Sequence, residues 1–488
     1  MKPSMISISL LFLTYHTLDR PSHVSHVKHH ESHPSIISIT TDDQAEWSLG
    51  LYGNDDSITP NMDQIGRDGA RFLNAFTATP VCSPSRACFL TGRYGTQLGI
   101  TDYLAPVEQD AGVGLPAAAK TWPKVLQERG YVTGLIGKWH LGTMPQYHPT
   151  KRGFDHFFGF LGGGNTPMDP MLEVDGKETR LKGCLEDRLF DDAIQFVDAN
   201  RAKPFALLVH TRAPHLPYGP VPEMDSAPFK NLDPNIPNTP GIDRAQVKNW
   251  TRDYYASIHS VDRNLGRLLA KLDDLGLTGQ TIVLFTSDHG YNIGHHTIHT
   301  KGNGIWIAGG VSGPKRPNMF ETSIRVPLMI RWPGVVKPGT AIPDYISNVD
   351  TFASVLRMLG VPQPRGVKQE GMDFSVLLRG KKIPWRNTVF GQYDLHNDGL
   401  AYMRMIRTSE WKLVRHHFTN GMDELYNLTD DPRESRNLYG RSTNADIRNR
   451  LQARLTEWQR TIRDPLVSPD RYPPRITANR HASWLIED

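Results

Sequence analysis

The segment Cys82-Ser83-Pro84-Ser85-Arg86 brings a thiol, a proline and a guanidinium close together in the chain. Proline fixes one backbone angle and lacks an N–H, so Pro84 predicts a turn, and Ser85 is predicted to cap a helix with Arg86 in its first turn. A cation is unfavourable at the positive end of a helix dipole, so Arg86 indicates a nearby anion. A thiol in that setting is acidified. The segment therefore predicts a reactive Cys82; the alternative is a surface turn with a half-buried cysteine.

Two apolar runs end in acidic residues. The run from Ser35 to Thr41 is β-branched, as in a buried parallel strand, and Asp42-Asp43 follows it directly. The run from Thr281 to Thr286 has the same character and leads through Ser287 into Asp288-His289. Ligands in open α/β sheets bind at the carboxyl ends of the strands. These residues therefore predict one polar site, while a solvated turn remains the alternative for the first pair.

Basic side chains follow two further predicted strands. The run from Tyr131 to Ile136 leads into Lys138 and His140, which point to the same side of an extended chain. The run from Phe205 to Thr211 leads into His215, which lies between prolines in a stiff loop and so has a defined direction. A single histidine is usually structural. Two histidines at strand ends favour a functional site.

The surrounding pattern alternates helices and strands. Helices are predicted from Thr59 to about Phe72, from Thr121 to Arg129 and from Thr251 to Leu275, the last with an apolar stripe that is interpreted as core-facing. After about Lys368 the alternation stops. Two adjacent strands, a turn at Thr419 to Gly421 and one last amphipathic helix then predict a small antiparallel unit.

Composition excludes several classes of protein. The chain has 488 residues, which predicts two domains or one large domain with an appendage. Its net charge of +4 is too small to argue for nucleic acid binding, and its three cysteines exclude a disulfide framework. The apolar run from Met5 to Leu13 is short enough for a signal peptide, though no clear cleavage site follows it. A histidine-rich stretch then indicates a linker, or a metal-binding tract. No segment indicates a stable membrane span.

The string from Cys82 to Arg93 resembles the signature of the formylglycine-dependent sulfatases, C-x-P-S-R with a Thr-Gly-Arg tail. The segments Arg325 to Gly334 and Glu424 to Leu438 also resemble that family, and the likeness extends from about Pro34 to Ile462. It implies an alkaline-phosphatase-like α/β fold: a large, mixed, mostly parallel sheet between helices, followed by a smaller antiparallel sheet with a helix. The expected domains are a leader (1–33), a catalytic domain (34–370) and a C-terminal subdomain (371–488).

The resemblance also implies a site. Cys82 is expected to be converted to formylglycine, whose hydrate is the nucleophile. The expected metal ligands are Asp42, Asp43, modified Cys82, Asp288 and His289, although His289 could be a non-ligating neighbour. Hard oxygen ligands favour Ca²⁺ or Mg²⁺, and the resemblance favours Ca²⁺.

The expected catalytic roles follow from the charge of a sulfate ester, which opposes attack by an anion until it is neutralised. Lys138 and Lys301 are expected to bind the sulfate and Arg86 to hold the nucleophile, with Lys315 as the alternative to Lys301. His140 is the expected base for sulfate elimination. By resemblance, His215 is the acid for the leaving group.

Three functions are compatible with these residues. The first is a sulfatase acting on a sulfated carbohydrate, matured by a formylglycine-generating enzyme and secreted or periplasmic. The second is a phosphate- or phosphonate-ester hydrolase of the same superfamily. The third is a non-catalytic binder of sulfated glycans, which would need neither Cys82 nor His140.

Overall fold

The computed structural model describes residues 33–308, 315–397, 399–417 and 422–467, together with Met1. The leader, with its apolar run, and the predicted turn at 419–421 lie outside these ranges. The strands of the described chain are β1 (Ser35–Thr41), β2 (Ala70–Phe76), β3 (Val132–Lys138), β4 (His156–Phe160), β5 (Met171–Val174), β6 (Lys177–Arg180), β7 (Phe205–His210), β8 (Thr281–Ser287), β9 (Asn292–Ile293), β10 (Ile298–Thr300), β11 (Asn303–Trp306), β12 (Lys315–Pro317), β13 (Leu328–Arg331), β14 (Thr340–Ser347), β15 (Thr388–Leu395), β16 (Ala401–Thr408), β17 (Trp411–His417) and β18 (Glu424–Asn427).

The helices within the same ranges, short 3₁₀ turns aside, are α1 (Pro60–Arg67), α2 (Cys82–Thr91), α3 (Gly95–Leu98), α4 (Pro106–Asp110), α5 (Trp122–Gln127), α6 (Leu185–Ala199), α7 (Glu223–Ser226), α8 (Arg244–Asp274), α9 (Glu321–Ile324), α10 (Thr351–Met358), α11 (Ser375–Leu378) and α12 (Ala445–Thr461). Among these described helices, none combines the length and the apolar character that crossing a bilayer requires.

Within the described chain, ten strands form one mixed sheet in the order β14-β2-β13-β8-β1-β7-β3-β4-β5-β6. Its centre is parallel: β1 pairs with β7 and β8, and β3 with β7 and β4. Buried apolar side chains cover both faces, since Ile36 belongs to one core cluster and Ile37 to the other. A strand buried on both faces is apolar at successive positions, which explains the continuous run in β1.

The register of the central strands brings their ends together. Thr41, the last residue of β1, is opposite Ser287, the last residue of β8. Thr40 is opposite His210 at the end of β7. The segments that follow β1, β3, β7 and β8 therefore leave the sheet at one edge, as expected for ligand-binding residues in α/β folds.

Two smaller antiparallel sheets complete the described fold. One has the order β12-β11-β10-β9 and carries the loop that contains Lys301. The other has the order β15-β16-β17-β18, with α12 packed on it through Leu451, Leu455 and Trp458. The predicted fold class, a mostly parallel sheet with a small C-terminal sheet and helix, is confirmed.

Two predicted helix boundaries are wrong. The first helix ends at Arg67, and β2 begins at Ala70, inside the predicted helix. Between them, Gly69 lies so close to β13 that a Cβ would be 2.1 Å from the Ile330 carbonyl oxygen, so packing draws the chain into the sheet. The long helix α8 begins at Arg244 rather than Thr251. Its N-cap is Asp243, whose carboxylate accepts a bond from the Gln246 N–H at 3.0 Å.

Candidate active site

Carboxylates from two parallel strands meet at the carboxyl edge of the main sheet. Asp42 and Asp43 follow β1, and Asp288 follows β8. The Asp43 N–H donates to Asp288 Oδ1 at 3.2 Å, which fixes the two strand ends together. One ligand atom from each of Asp42, Cys82, Asp288 and His289 lies within 4.8 Å of the others. The separate sequence motifs therefore form one buried cluster.

The helix that carries Cys82 differs from the prediction. It begins at Cys82 itself, with Val81 as the N-cap, so Ser85 is not the cap and Pro84 lies within the first turn. Proline is tolerated there because the first N–H groups of a helix have no partner within the helix. The Ser85 hydroxyl instead hydrogen-bonds Thr77 Oγ1 at 2.9 Å. Cys82 nevertheless lies at a helix N-terminus, as predicted.

Cys82 is 2% exposed and lies among charged groups. Its Sγ is 3.1 Å from Lys301 Nζ and 3.6 Å from Asp42 Oδ1. Burial and Asp42 would raise the pKa of the thiol, but Lys138 and Lys301 outweigh them and hold that pKa below its usual value. The two lysines, rather than the Arg86 that the sequence suggested, are therefore the main source of the predicted acidification.

Three cations neutralise the carboxylates. Arg86 donates to Asp288 Oδ2 from Nε at 3.1 Å and from Nη2 at 2.9 Å, so it contacts an acid rather than the thiol. Lys138 Nζ is 2.5 Å from Asp42 Oδ2, and Lys301 Nζ is 2.7 Å from Asp43 Oδ1. Burial opposes ionisation of Asp42, yet Lys138 and its other cationic neighbours keep the pKa of Asp42 well below the usual range.

His140 presents one defined nitrogen. It is 3% exposed, and its Nε2 lies 3.1 Å from the Leu104 carbonyl oxygen. A carbonyl only accepts, so Nε2 carries the proton and Nδ1 holds the lone pair. Nδ1 has no hydrogen-bond partner among the described residues. Burial, assisted by Lys138, lowers the pKa of His140 well below its usual value, so the ring is neutral and able to accept a proton.

His215 faces the carboxylates from the loop after β7. Its Nδ1 donates to the Leu216 carbonyl at 2.7 Å, and its Nε2 is 3.8 Å from Asp43 Oδ2. Burial, and then Lys301, lower the pKa of His215 to about 4. The imidazole is therefore neutral at neutral pH. An acid role at this position requires a bound anion that raises the pKa.

The donor set fits a divalent cation. Carboxylate oxygens of Asp42, Asp43 and Asp288 are hard ligands of the kind that Ca²⁺ and Mg²⁺ prefer. His289 Nε2 lies 3.3 Å from Asp43 Oδ1 and 3.5 Å from Cys82 Sγ. Burial opposes its charge, but Asp288 raises the pKa of His289 to about 9. A cation at these carboxylates would compete with that proton.

Lys301 lies at the cluster, whereas Lys315 lies in the small antiparallel sheet. The side chain of Lys301 enters from the loop between β10 and β11 and contacts both Asp43 and Cys82. Lys315 is the first residue of β12, where it pairs with Ile305. The sequence left these two lysines as alternatives because an insertion-like stretch up to Arg316 separates Lys301 from the family-like segment that begins at Arg325.

Two residues at the site were missed by the sequence analysis. Tyr254 lies in the helix whose apolar stripe was interpreted as core-facing, but its hydroxyl donates to the Asp43 carbonyl at 2.7 Å and accepts from the Ala45 N–H at 3.0 Å. Asp43 has a left-handed backbone (φ 70°), so these bonds hold an uncommon conformation. Leu104 contributes only its carbonyl to His140. For Tyr254, the available signal in the sequence was a tyrosine within an apolar helical stripe. For Leu104 there was no signal, because its contact is made by the backbone carbonyl.

Two family models match the chain. The sulfatase model matches residues 34–361, and the model described as N-sulphoglucosamine sulphohydrolase, C-terminal, matches residues 314–461.

Characterised relatives show the same likeness. The chain is 29% identical to N-acetylglucosamine-6-O-sulfatase of Bacteroides thetaiotaomicron, over 88% of this chain and 87% of the relative. It is 28% identical to the ulvan-active sulfatase of Formosa agariphila, over 90% and 83% of the two chains.

Solved structures share the fold. The structure of BT4656 in complex with its substrate D-glucosamine-2-N,6-O-disulfate has a TM-score of 0.77 and 28% identity, and the match covers 91% of this chain and all of that one. Phosphonate monoester hydrolase of Agrobacterium radiobacter has a TM-score of 0.69 at 20% identity, covering 88% and 96%, a likeness of fold alone.

Proposed function

This chain belongs to the sulfatase family and is a sulfuric ester hydrolase, and we propose that its substrate is a sulfated carbohydrate. Two characterised relatives and one solved complex support the choice of substrate. They are an N-acetylglucosamine sulfatase, an ulvan-active sulfatase and a structure with a disulfated glucosamine bound. The C-terminal match to the N-sulphoglucosamine sulphohydrolase model supports the same class of sulfated sugar.

The position of Cys82 supports the catalytic proposal most directly. Its Sγ lies beside Lys301 Nζ and within a cluster of three carboxylates, two lysines and an arginine. A structural cysteine gains nothing from such a charged setting, whereas a nucleophile that attacks an anionic ester needs cations around it. A glycan binder would not need this residue, which disfavours the third function.

The proposed cofactors are a formylglycine made from Cys82 and one divalent cation, Ca²⁺ in preference to Mg²⁺. When present, the aldehyde hydrate supplies the nucleophile and the cation neutralises the charge of the sulfate. Asp42, Asp43 and Asp288 would hold the cation. His289 would be a further ligand once its proton has left.

The cations of the chain bind and orient the sulfate. Lys138 and Lys301 would contact the sulfate oxygens, because their ammonium groups already lie against the neighbouring carboxylates of Asp42 and Asp43. Arg86 orients Asp288 through its two bonds, and its Nη2 lies 3.6 Å from Asp42 Oδ2. Charge-assisted bonds of this kind are strong and directional.

The two histidines transfer protons in different steps, His215 when the sugar leaves and His140 when sulfate is eliminated. His140 accepts a proton at Nδ1, which is unprotonated and faces no other partner in the described chain. His215 delivers a proton from Nε2 to the leaving sugar oxygen. The negative sulfate ester raises the pKa of His215 when it binds, since a nearby anion stabilises the imidazolium.

One maturation partner and one cellular location complete the proposal. A formylglycine-generating enzyme would oxidise Cys82. Secretion or delivery to the periplasm would follow from the apolar run at Met5 to Leu13, which lies outside the described residues.

A panel of defined sulfated sugars tests the substrate. Matured protein would be incubated with glucosamine and galactosamine derivatives sulfated at single positions, and released sulfate would be measured together with the ring position that loses it. Matured wild type is expected to release sulfate from at least one sugar, and Cys82→Ala from none. Turnover of nitrophenyl sulfate without release from any sugar would contradict the carbohydrate assignment.

The same preparations would be assayed on a phosphate monoester and a phosphonate monoester. A higher kcat/KM on either of these than on every sulfate ester would favour the hydrolase alternative. The fold shared with phosphonate monoester hydrolase makes this comparison necessary, because fold alone does not separate the two chemistries.

A further inference from the structure

The Leu104 carbonyl decides which nitrogen of His140 is basic. His140 Nε2 donates to it at 3.1 Å, and Gln109 Nε2 donates to it at 3.0 Å. The Leu104 N–H donates to Ser83 Oγ at 3.0 Å, so the peptide is held from the side of the nucleophile helix as well. If this carbonyl turned away, nothing in these contacts would keep the proton on Nε2.

The segment around Leu104 is tied to the C-terminal sheet. Asn397, two residues beyond β15, donates from Nδ2 to the Tyr103 carbonyl at 2.6 Å and to Glu108 Oε2 at 2.8 Å. Glu108 Oε2 also accepts the Ala105 N–H at 3.0 Å. The bonds of Asn397 thus reach both sides of Leu104.

A charged pair reinforces this tie. His396 Nε2 lies 2.9 Å from Glu108 Oε1, and its Nδ1 lies 2.9 Å from the Asp394 carbonyl. Both neighbours are acceptors, so both ring nitrogens carry protons and the ring is an imidazolium. Asp102 adds a second anchor, since its Oδ2 accepts the backbone N–H groups of His396 and Asn397 at 3.0 and 3.1 Å.

We propose that the loop after β15, through His396 and Asn397, is a positioning element for His140. It holds the Leu104 carbonyl where that carbonyl keeps the proton on Nε2 and leaves Nδ1 as the base. The functional consequence rests on the proposed base role of His140; the hydrogen-bonded positioning itself does not. The C-terminal sheet is then part of the catalytic apparatus without touching the reacting atoms.

Imidazole NMR tests the positioning without turnover. Protein labelled with ¹⁵N-histidine, carrying Cys82→Ala so that no aldehyde is present, would be compared with and without Asn397→Ala. Resonances of His140 would be assigned from His140→Gln. The parent is expected to show the Nε2–H tautomer with a proton protected from exchange. In Asn397→Ala that proton is expected to exchange about tenfold faster or more, and the Nδ1–H form to appear.

Gln392→Ala is the matched control. Gln392 lies on β15, is also a buried amide, and bonds Thr96 at 2.9 Å, but among the described residues it has no hydrogen bond to the segment around Leu104. This variant should keep the protected Nε2–H of His140. Glu108→Gln serves as the second variant if Asn397→Ala fails to fold, because it removes the charged acceptor shared by His396 and Asn397.

The activity of matured Asn397→Ala should fall about 10–100-fold, the size of effect found for outer-shell partners of functional metal-bound histidines. An unchanged tautomer and exchange rate for His140 in both test variants would overturn the positioning proposal. Equal loosening in Gln392→Ala would overturn it too, since the effect would then be general. A shifted tautomer with full activity would leave the positioning intact and contradict the base role of His140.

Discussion

Lys301 Nζ lies 3.1 Å from Cys82 Sγ, although 219 residues separate them in the chain. The contact places a buried cation beside the side chain that we propose is converted to formylglycine, in which Cβ becomes the aldehyde carbon and the sulfur is lost. The same ammonium is 2.7 Å from Asp43 Oδ1, so nucleophile and proposed metal ligand share one lysine. Burial opposes the charge of Lys301, but Asp43 and Cys82 outweigh it and raise the pKa of Lys301 well above its usual value, so the side chain is a cation at neutral pH.

Lys301→Met should lower kcat/KM for sulfate esters by about 10²–10³-fold, the usual cost of removing one electrostatic contact from a transition state. Lys315→Met is the matched variant, because that lysine lies in β12. Its kcat/KM should be close to wild type. A larger loss in Lys315→Met than in Lys301→Met would show that the sulfate-binding lysine has been misassigned.

Active protein should contain an aldehyde at Cys82, seen as a mass change in the peptide that carries it. Cys82→Ala should abolish turnover and keep the fold, as judged by circular dichroism, since the thiol makes no apolar packing contribution that alanine cannot replace. Activity should scale with the aldehyde content across preparations. Full activity with an unmodified thiol would contradict the proposed nucleophile.

Removal of divalent cations should abolish activity, and added Ca²⁺ should restore it. Asp288→Asn should not be restored, because it loses one charge of the ligand set at the end of β8. For wild type, Ca²⁺ at a hundred times its Kd should raise the free energy of unfolding by about 2.7 kcal/mol, and this gain should be absent in Asp288→Asn. A metal-free preparation, verified by elemental analysis, that keeps its rate would exclude the cation site.

His215→Ala should slow desulfation of a sugar by about 10²–10⁴-fold, the usual contribution of general acid catalysis. It should affect nitrophenyl sulfate far less, because a nitrophenolate leaves without a proton. His140→Ala should harm both substrates to a similar extent, with nitrophenol release running ahead of sulfate release. Measuring both variants on both esters separates the roles, and equal damage by His215→Ala on both would remove its assignment as the acid.

The free energy of unfolding should decrease at alkaline pH because His396 loses its proton there. Burial opposes its charge, but Glu108 and Asp102 raise its pKa to about 9 in the folded protein. A raised pKa contributes stability that is complete below the unfolded value of about 6.5 and is lost as pH rises through 9. The free energy of unfolding should decrease by up to about 3 kcal/mol across this window.

The test compares denaturant unfolding of wild type and His396→Gln from pH 6 to about 10. The pKa of His289 is also raised to about 9, but it is present in both proteins and cancels in the difference. The difference in unfolding free energy should therefore shrink as the pH rises. A difference that is constant with pH would mean that His396 is not charged in the folded state.

The sequence by itself determined the family resemblance and the class of fold. The string from Cys82 to Arg93 predicted the nucleophile, and the apolar runs that end before Asp42 and Asp288 predicted the acidic cluster, because a strand buried on both faces has a continuous apolar pattern that ends where polar residues begin. These signals are local. They can be recognised without knowing the order of the strands in the sheet.

Tertiary structure decided which distant groups meet. It brings Lys301 into contact with Asp43 and Cys82. It pairs Arg86 with Asp288. It also places Ala70 to Phe76 in the main sheet, where Gly69 packs closely against Ile330. Leu104 acts through a backbone carbonyl, whose chemistry is the same in every residue. That carbonyl is held by contacts with Ser83, with Gln109 and, through Asn397, with the loop after β15, and no spacing of residue types in the chain encodes such contacts.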